Sequence, residues 1–180
     1  MAMFFILIES MEVRNNIYYY IGRRAFPRRD DMNKYMERAV QLALDNVRAG
    51  GEPFGAVLVK DDHIISEGVN ELHKRFDISG HAELIAIRQA QQQEQTHDLS
   101  GYTMYASGEP CPMCLSAMYF SGITDVYYCQ SVSDAVDVGL GKSKVIYDDL
   151  KLANERRKIV KQHMPLQHDQ QNPMKEWDLR

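Results

Sequence analysis

Two short motifs constrain what this sequence can fold into: His81-Ala82-Glu83, and the later run Glu109-Pro110-Cys111-Pro112-Met113-Cys114. Each motif begins at a predicted helix N-terminus that comes after a loop. The positive end of a helix dipole lowers the pKa of a thiol, and the thiolate is the form that binds metal. Cys111 and Cys114, three residues apart, lie on one face of a helical turn, so both sulfurs reach a single ion. With the imidazole of His81 they make three protein ligands.

Three ligands of this kind indicate a catalytic zinc site, because tetrahedral zinc then keeps its fourth position for water. Bound zinc lowers the pKa of water to about 7. Glu83 comes two residues after His81, so it lies near the metal without having to bind it. Its carboxylate can accept the proton of that water and pass it on. We therefore predict one Zn²⁺ per subunit on His81, Cys111 and Cys114, with Glu83 as the catalytic residue.

Each part of this pattern has a plainer interpretation when taken alone. The Cys-x-x-Cys pair could be half of a structural zinc ribbon or a redox pair. A ribbon needs a second pair, and the third cysteine, Cys129, is solitary. A redox pair does not need an upstream His-x-Glu, while His81 or Glu83 alone is more often a surface residue. Together, at two helix starts, the motifs favour catalysis, and we expect Cys129 to be a core residue without a chemical role.

Composition limits the partners and the location of the protein. Its 180 residues are 44% apolar and 26% charged, which is ordinary for one soluble globular domain. The formal net charge of -4 gives no overall attraction to nucleic acid or to anionic lipid, so neither is expected as a partner. No apolar run approaches the roughly 20 residues that span a bilayer. The apolar start at residues 1–8 lacks the preceding basic residue of a secretory signal, and we expect a cytoplasmic protein.

Hydrophobic periodicity predicts alternating helices and strands from Met32 onward. Gly50-Gly51 ends the first helix, and Asp61-Asp62 joins two β-rich runs as a hairpin. The predicted elements are helix 33–48, strands 55–60 and 63–68, helix 81–95, strand 102–106, helix 112–121, strand 125–130, short helix and loop over 133–149, a last strand 156–163 and a terminal helix 173–180. The alternation of strand and helix indicates a mixed sheet covered on both faces.

Residues 1–31 differ in composition and pattern from the rest of the chain. They contain an apolar tip, a tyrosine cluster and several arginines, and regular structure becomes legible only at Met32. The segment could be an extension that packs on the domain, a tether, or upstream sequence translated from an earlier start. We favour the last interpretation because Met32 is itself a suitable start. The predicted organisation is an N-terminal extension over 1–31 and a zinc-dependent catalytic domain over 32–180.

With these residues in place, the chain resembles the cytidine deaminase superfamily, and within it the bacterial guanine deaminases. The likeness spans roughly residues 32–147, and the two zinc motifs match the H-x-E…P-C-x-x-C signature of zinc deaminases that act on bases. The other matching motifs are Pro53-Phe54-Gly55-Ala56, Gly68-x-Asn70, Asp134-Ala135 and Ile146-Tyr147. The resemblance implies a three-layer α/β/α sandwich with a five-stranded mixed sheet and the zinc between two central helices. It also implies a homodimer in which the C-terminal tail lies over the partner's active site.

The resemblance also implies residues that contact the substrate. Asn70 would hydrogen-bond the base, Phe54 would line the pocket, and the backbone N–H of Ala82 would meet a ring carbonyl. Taken without the family, Asn70 is a turn residue and Phe54 packs in the core. Trp177, near the C-terminus, would cover a pocket or anchor an amphipathic helix in a groove. In guanine deaminases an acidic residue precedes the Ile-Tyr pair, whereas here Lys142 replaces that acceptor with a donor of opposite charge.

The predicted function is hydrolytic deamination of a small nucleobase or nucleoside with water as co-substrate, and guanine, converted to xanthine and ammonia, is the first candidate. One alternative is a tRNA adenosine (A-to-I) deaminase, which shares the zinc motifs. Others are a deaminase of a cytosine-type or other amino-azine base, and a zinc-binding protein whose catalysis has lapsed. The net negative charge argues against the tRNA substrate. The intact Glu83 argues against lapsed catalysis, because a structural zinc site has no use for a proton carrier.

Overall fold

The computed structural model describes residues 20–21, 24–25 and 29–178 of the chain. Most of the predicted extension lies outside the described residues, as do residues 179–180 of the predicted terminal helix. The strands are β1 (Tyr20–Ile21), β2 (Arg24–Ala25), β3 (Gly55–Lys60), β4 (His63–Val69), β5 (Thr103–Gly108) and β6 (Asp125–Gln130). The helices are α1 (Arg29–Arg48), α2 (Leu72–Arg75), α3 (Ala82–Glu94), α4 (Pro112–Ser121), α5 (Val132–Asp137), α6 (Lys142–Leu150) and α7 (Pro173–Asp178), with a 3₁₀ turn at Asn154–Arg156.

The central sheet is mixed and has the strand order β4-β3-β5-β6. Strand β3 is antiparallel to both β4 and β5, and β5 is parallel to β6. The predicted hairpin between β3 and β4 is confirmed. Its two turn residues, Asp61 and Asp62, have positive φ angles of 48° and 60°, a region that aspartate enters more readily than most residues.

Helices cover both faces of the sheet, as predicted. On one face α1 packs over a buried cluster that includes Ala39, Val57 and Tyr105. On the other face α3 and α4 pack over the larger cluster, which contains Leu58, Met104, Ala86 and Met118. Strand β3 contributes to both clusters because its side chains alternate between the two faces. The zinc motifs, which start α3 and α4, therefore lie on one side of the sheet.

The prediction of a five-stranded sheet is wrong for the part of the chain that the structure describes, because the central sheet there has four strands. The candidate segment at 156–163 forms the end of a 3₁₀ turn followed by irregular chain. Its apolar pair Ile159 and Val160 is 75% and 71% exposed. A strand needs a partner edge as well as a β-rich composition, and the sequence pattern reports only the composition.

The prediction that Cys129 is a core residue is also wrong. Cys129 lies in the second half of the edge strand β6, where the side chains are exposed, and its sulfur contacts the carbonyl of Ser107 at 3.0 Å. An apolar run on an edge strand is only partly covered by neighbouring elements. Among the described residues, no helix is both long enough and apolar enough to cross a membrane.

Candidate metal centre and active site

The N-termini of α3 and α4 bring the two sequence motifs together. His81 is the N-cap residue of α3 and Cys111 is the N-cap residue of α4, both with extended backbone angles. Strand β4 approaches α3 closely at Gly68, where a Cβ atom would overlap the carbonyl oxygen of Ala82. A residue with a side chain at 68 would therefore push away the start of α3 and displace His81.

Three ligand atoms form a nearly equilateral triangle. The Nδ1 atom of His81 lies 3.5 Å from the sulfur of Cys111 and 3.5 Å from that of Cys114. The two sulfurs are 3.5 Å apart. Tetrahedral zinc with Zn–S of about 2.3 Å and Zn–N of about 2.0 Å would separate its ligand atoms by roughly 3.5 to 3.8 Å. The residues therefore fit a zinc ion, and they are the metal-binding group found among the described residues.

The charge state of Cys111 suits a cation. The hydrogen bond between the two sulfurs, together with the contact to His81, lowers the pKa of Cys111 to about 4, while the same bond and burial raise the pKa of Cys114. The contact to Cys111 raises the pKa of His81. Cys111 is therefore a thiolate at neutral pH, the form that binds metal.

Glu83 lies in the first turn of α3 beside this triangle. Its side chain is buried, with 6% of the residue exposed, and its carboxyl group lies close enough to His81, Cys111 and Cys114 to interact with them electrostatically. Burial raises the pKa of Glu83 above its usual range because removal from water penalises the charged form. A carboxyl group of this kind can hold a proton as well as accept one.

A cavity of about 270 Å³ opens onto the metal ligands. Among the sequence-predicted residues, Phe54, His81, Glu83 and Cys111 line it. Lys142, the position of the departure from guanine deaminases, also lines it. The remaining lining residues are Glu52, Leu72, Ile78, Glu109, Gly139, Leu140 and Ser143.

The structure places Asn70 behind the cavity wall. The residue is 1% exposed and is not among the lining residues. Its amide oxygen accepts from the backbone N–H of Leu72 at 3.1 Å, and its amide nitrogen donates to the carboxylate of Glu52 at 2.9 Å. Direct contact between Asn70 and a base stays a prediction.

The three other expected substrate contacts occupy different places. The ring of Phe54 packs against Gly108 and separates the first cavity from a second, more apolar one of about 230 Å³. Ala82 is the first residue of α3, so its backbone N–H has no acceptor within the helix. Trp177 lies on α7, is 69% exposed, and does not line the cavity of its own chain.

Sequence reasoning gave no role to two residues that support the cavity. The Tyr147 hydroxyl donates to the carbonyl of Pro110 at 2.6 Å, directly before Cys111. The Glu109 carboxylate accepts from the backbone N–H of Val132 at 2.9 Å, which ties the cysteine motif to α5. The sequence marks Tyr147 as part of the Ile-Tyr motif and Glu109 as part of the cysteine motif, but neither motif predicts these contacts.

Comparison with known proteins agrees with this geometry. Residues 29–130 match the family profile of the cytidine and deoxycytidylate deaminase zinc-binding region. A guanine deaminase of Bacillus subtilis (strain 168) is 42% identical over 123 residues, covering 68% of this chain and 79% of the relative. A tRNA-specific adenosine deaminase of Haemophilus influenzae is 38% identical over 121 residues, covering 66% of this chain and 68% of the relative.

A solved structure supports the same assignment. The X-ray structure of guanine deaminase from Bacillus subtilis superposes with a TM-score of 0.76 at 37% identity, covering 82% of this chain and 94% of that one. The family profile spans more than half of the chain and includes the three metal-binding residues. The chain belongs to the cytidine and deoxycytidylate deaminase family.

Proposed function

We propose that the protein catalyses hydrolytic deamination of a free nucleobase, and that guanine, converted to xanthine and ammonia, is its substrate. The observation that carries this proposal is the position of Glu83, buried beside the ligand triangle and lining the same cavity. The similarity to guanine deaminase over most of both chains supports the choice of base.

The chemistry requires one proton carrier at the reacting carbon. A zinc ion bound by His81, Cys111 and Cys114 would acidify a water molecule. Glu83 would accept one proton from a water molecule while the water oxygen bonds to the carbon bearing the exocyclic amine, and would pass that proton to the adjacent ring nitrogen. It would then accept the second proton from the oxygen now bonded to this carbon and pass it to the amine. The C–O bond becomes a carbonyl as the C–N bond breaks, and ammonia leaves. The raised pKa of Glu83 suits a group that must both take and give a proton.

The size of the cavity favours a free base. Pockets for drug-sized ligands occupy about 300 to 1,000 Å³, and this cavity of about 270 Å³ lies just below that range. Phe54 provides an aromatic wall, and the ammonium of Lys142 provides a donor for acceptor atoms of the base. The proposed second donor is the N–H of Ala82, which has no acceptor within α3. Direct hydrogen bonding by Asn70 is part of the proposal, through the amide hydrogen that Glu52 does not use.

A tRNA substrate is the second candidate, because tRNA-specific adenosine deaminases are among the relatives. A basic cluster in the C-terminal part of the chain would have to hold the RNA; it consists of Lys151, Arg156, Arg157, Lys158 and Lys161. The guanidinium of Arg157 is engaged by the backbone carbonyls of Leu150 and Leu152, and Lys151 pairs with Asp148. These contacts stabilise the end of α6 and leave fewer cations for a phosphate backbone.

The assembly is also part of the proposal. The C-terminal segment exposes large apolar side chains, including Met164 (88%) and Trp177 (69%). In a homodimer this segment would pack on the partner, and Trp177 would cover the partner's cavity. The family match begins at residue 29, which supports a catalytic domain that starts near Met32 and an extension over 1–31.

A substrate panel tests the proposal. Ammonia release is measured from guanine, adenine, cytosine, their nucleosides and a tRNA anticodon stem, together with the zinc content of the same preparation. We expect one zinc per subunit and the highest kcat/KM for guanine. If only the tRNA stem releases ammonia, the substrate is RNA and not a free base. If the protein contains zinc but releases ammonia from no member of the panel, the proposal that it is a deaminase is wrong.

A further inference from the structure

We propose that Glu52 is a specificity-determining residue whose carboxylate accepts a hydrogen bond from a ring N–H of the substrate, and that Asn70 is the positioning residue that aims it. The inference rests on the proposed function and concerns the wall of the same cavity. Glu52 lines that cavity together with His81 and Glu83. Asn70 lies directly behind it.

The bonding of Asn70 identifies it as a support for the wall. Besides the bonds of its amide group to Glu52 and Leu72, its backbone N–H donates to the carbonyl of Phe54 at 3.1 Å. All three partners line the cavity. One buried residue therefore fixes three adjacent parts of the substrate wall.

A second buried amide holds the same loop from behind. Asn46, in the last turn of α1, donates to the carbonyls of Glu52 at 2.8 Å and of Asn70 at 2.9 Å. It leaves no space for a side chain at Gly51, where a Cβ atom would lie 2.5 Å from its amide nitrogen. The backbone of Glu52 is thus fixed on one side and its carboxylate on the other.

This geometry dictates what Glu52 can recognise. Because the N–H of Leu72 donates to the amide oxygen of Asn70, the amide nitrogen must face Glu52. The bond fixes one oxygen of the carboxylate. The carboxylate still has acceptor capacity, and a carboxylate can only accept. It therefore selects a base that presents an N–H, and disfavours one that presents a lone pair or a methyl group there.

The test compares Glu52→Gln with wild type on guanine and on 1-methyl-, 7-methyl- and 9-methylguanine. For guanine the readout is kcat/KM, and for the methylated bases it is the inhibition constant. We expect E52Q to lower kcat/KM for guanine about 10- to 100-fold, the range for a lost hydrogen bond to a charged group. In one of the three analogues the methyl group replaces the N–H that Glu52 contacts. E52Q should change the inhibition constant of that analogue less than about twofold, because the contact is already missing.

The matched control is Glu67→Gln, the same chemical change on β4, where Glu67 pairs with Arg38 at 2.7 Å and does not line the cavity. Equal weakening of all four bases by E52Q, or no weakening of any, would overturn the inference. Failure of wild type to release ammonia from guanine would instead contradict the proposed function, and the binding of the methylated bases would still test Glu52.

Asn70 is tested by Asn70→Asp, which keeps the oxygen that accepts from Leu72 and removes the donor to Glu52. We expect N70D to lose stability and the preference for guanine together. The double variant E52Q/N70D can re-form the bond in the opposite direction, with the new amide nitrogen at position 52 as the donor. Stability should then recover, and part of the preference should return, because the amide oxygen at position 52 faces the cavity as an acceptor. If N70D removes the preference and E52Q does not, the preference depends on Asn70 and not on Glu52, and the assignment of Glu52 is wrong.

Discussion

The hydroxyl of Tyr147 donates to the carbonyl of Pro110 at 2.6 Å and so ties α6 to the loop that presents Cys111. Burial, with smaller contributions from nearby acidic groups such as Glu109, raises the pKa of Tyr147 to about 12, so the hydroxyl remains a donor throughout the neutral range. The same helix carries Lys142 into the cavity. One hydrogen bond therefore connects the metal ligands to a substrate-facing residue.

Removing the Tyr147 hydroxyl should weaken the attachment of α6 to the loop that presents Cys111. We expect Tyr147→Phe to lower the free energy of unfolding by about 0.5 to 1.5 kcal/mol, because one hydrogen bond to a backbone carbonyl is lost. Denaturant unfolding measures the change, and kcat/KM should fall a few-fold. Tyr119→Phe, at a residue that is 79% exposed, is the control, and equal effects from both variants would contradict a specific role for Tyr147.

Zinc binding should depend on two cysteines and not on the third. We expect Cys111→Ser and Cys114→Ser to reduce the zinc content from about one per subunit to near zero, because each removes a ligand from a three-residue site. Atomic absorption measures the metal, and the melting temperature should fall with it. Cys129→Ser is the matched control, since Cys129 lies on β6 outside the triangle; loss of zinc in that variant would contradict the assignment.

Much of this site was predictable because it is encoded locally. His81-x-Glu83 and Cys111-x-x-Cys114 each occupy one helix start, where short-range spacing determines which side chains share a face. Strands β3 and β6 and helix α4 match their predicted bounds for the same reason. The support of Glu52 by Asn70 and Asn46 was not predictable, because it joins residues 18 and 6 apart in the chain through a loop. Likewise, the segment at 156–163 has the composition of a strand, but pairing depends on distant residues.

Lys142 should act on the carbonyl group of the substrate. Its side chain lines the cavity and can only donate, so it favours a base with a carbonyl oxygen over one without. We expect Lys142→Met to lower kcat/KM for guanine about 5- to 30-fold while 2-aminopurine, which lacks that oxygen, changes less than about twofold. Lys144→Met, on the same helix but paired with Asp148, is the control. A uniform loss on both bases would show that Lys142 does not read the carbonyl.

The capping box at the start of α5 should make stability depend on pH in acid. The Ser131 hydroxyl and backbone N–H both donate to the carboxylate of Asp134 and lower its pKa. A lowered pKa in the folded state stabilises the protein above about pH 4, the value in the unfolded chain, and this stabilisation is lost as the pH falls through the folded pKa.

The comparison of wild type with Asp134→Asn isolates this effect. In urea unfolding between pH 7 and pH 3, we expect the stability difference between the two proteins to be largest at neutral pH and to shrink below about pH 4. Ser131→Ala should reduce the same difference, because it removes one of the two donors. A difference that stays constant down to pH 3 would show that the Asp134 carboxylate does not contribute through its charge.

Glu83 carries the central claim, and Glu83→Gln tests it most directly because the change keeps the shape of the side chain and removes its ability to carry a proton. The measurement is ammonia release from guanine by a variant whose zinc content has been verified, with Glu94→Gln at the exposed end of α3 as the matched control. We expect E83Q to keep about one zinc per subunit and to lose roughly 10² to 10⁴ in kcat, while E94Q behaves as wild type. Turnover by zinc-loaded E83Q at the wild-type rate would contradict the role of Glu83 as the proton carrier.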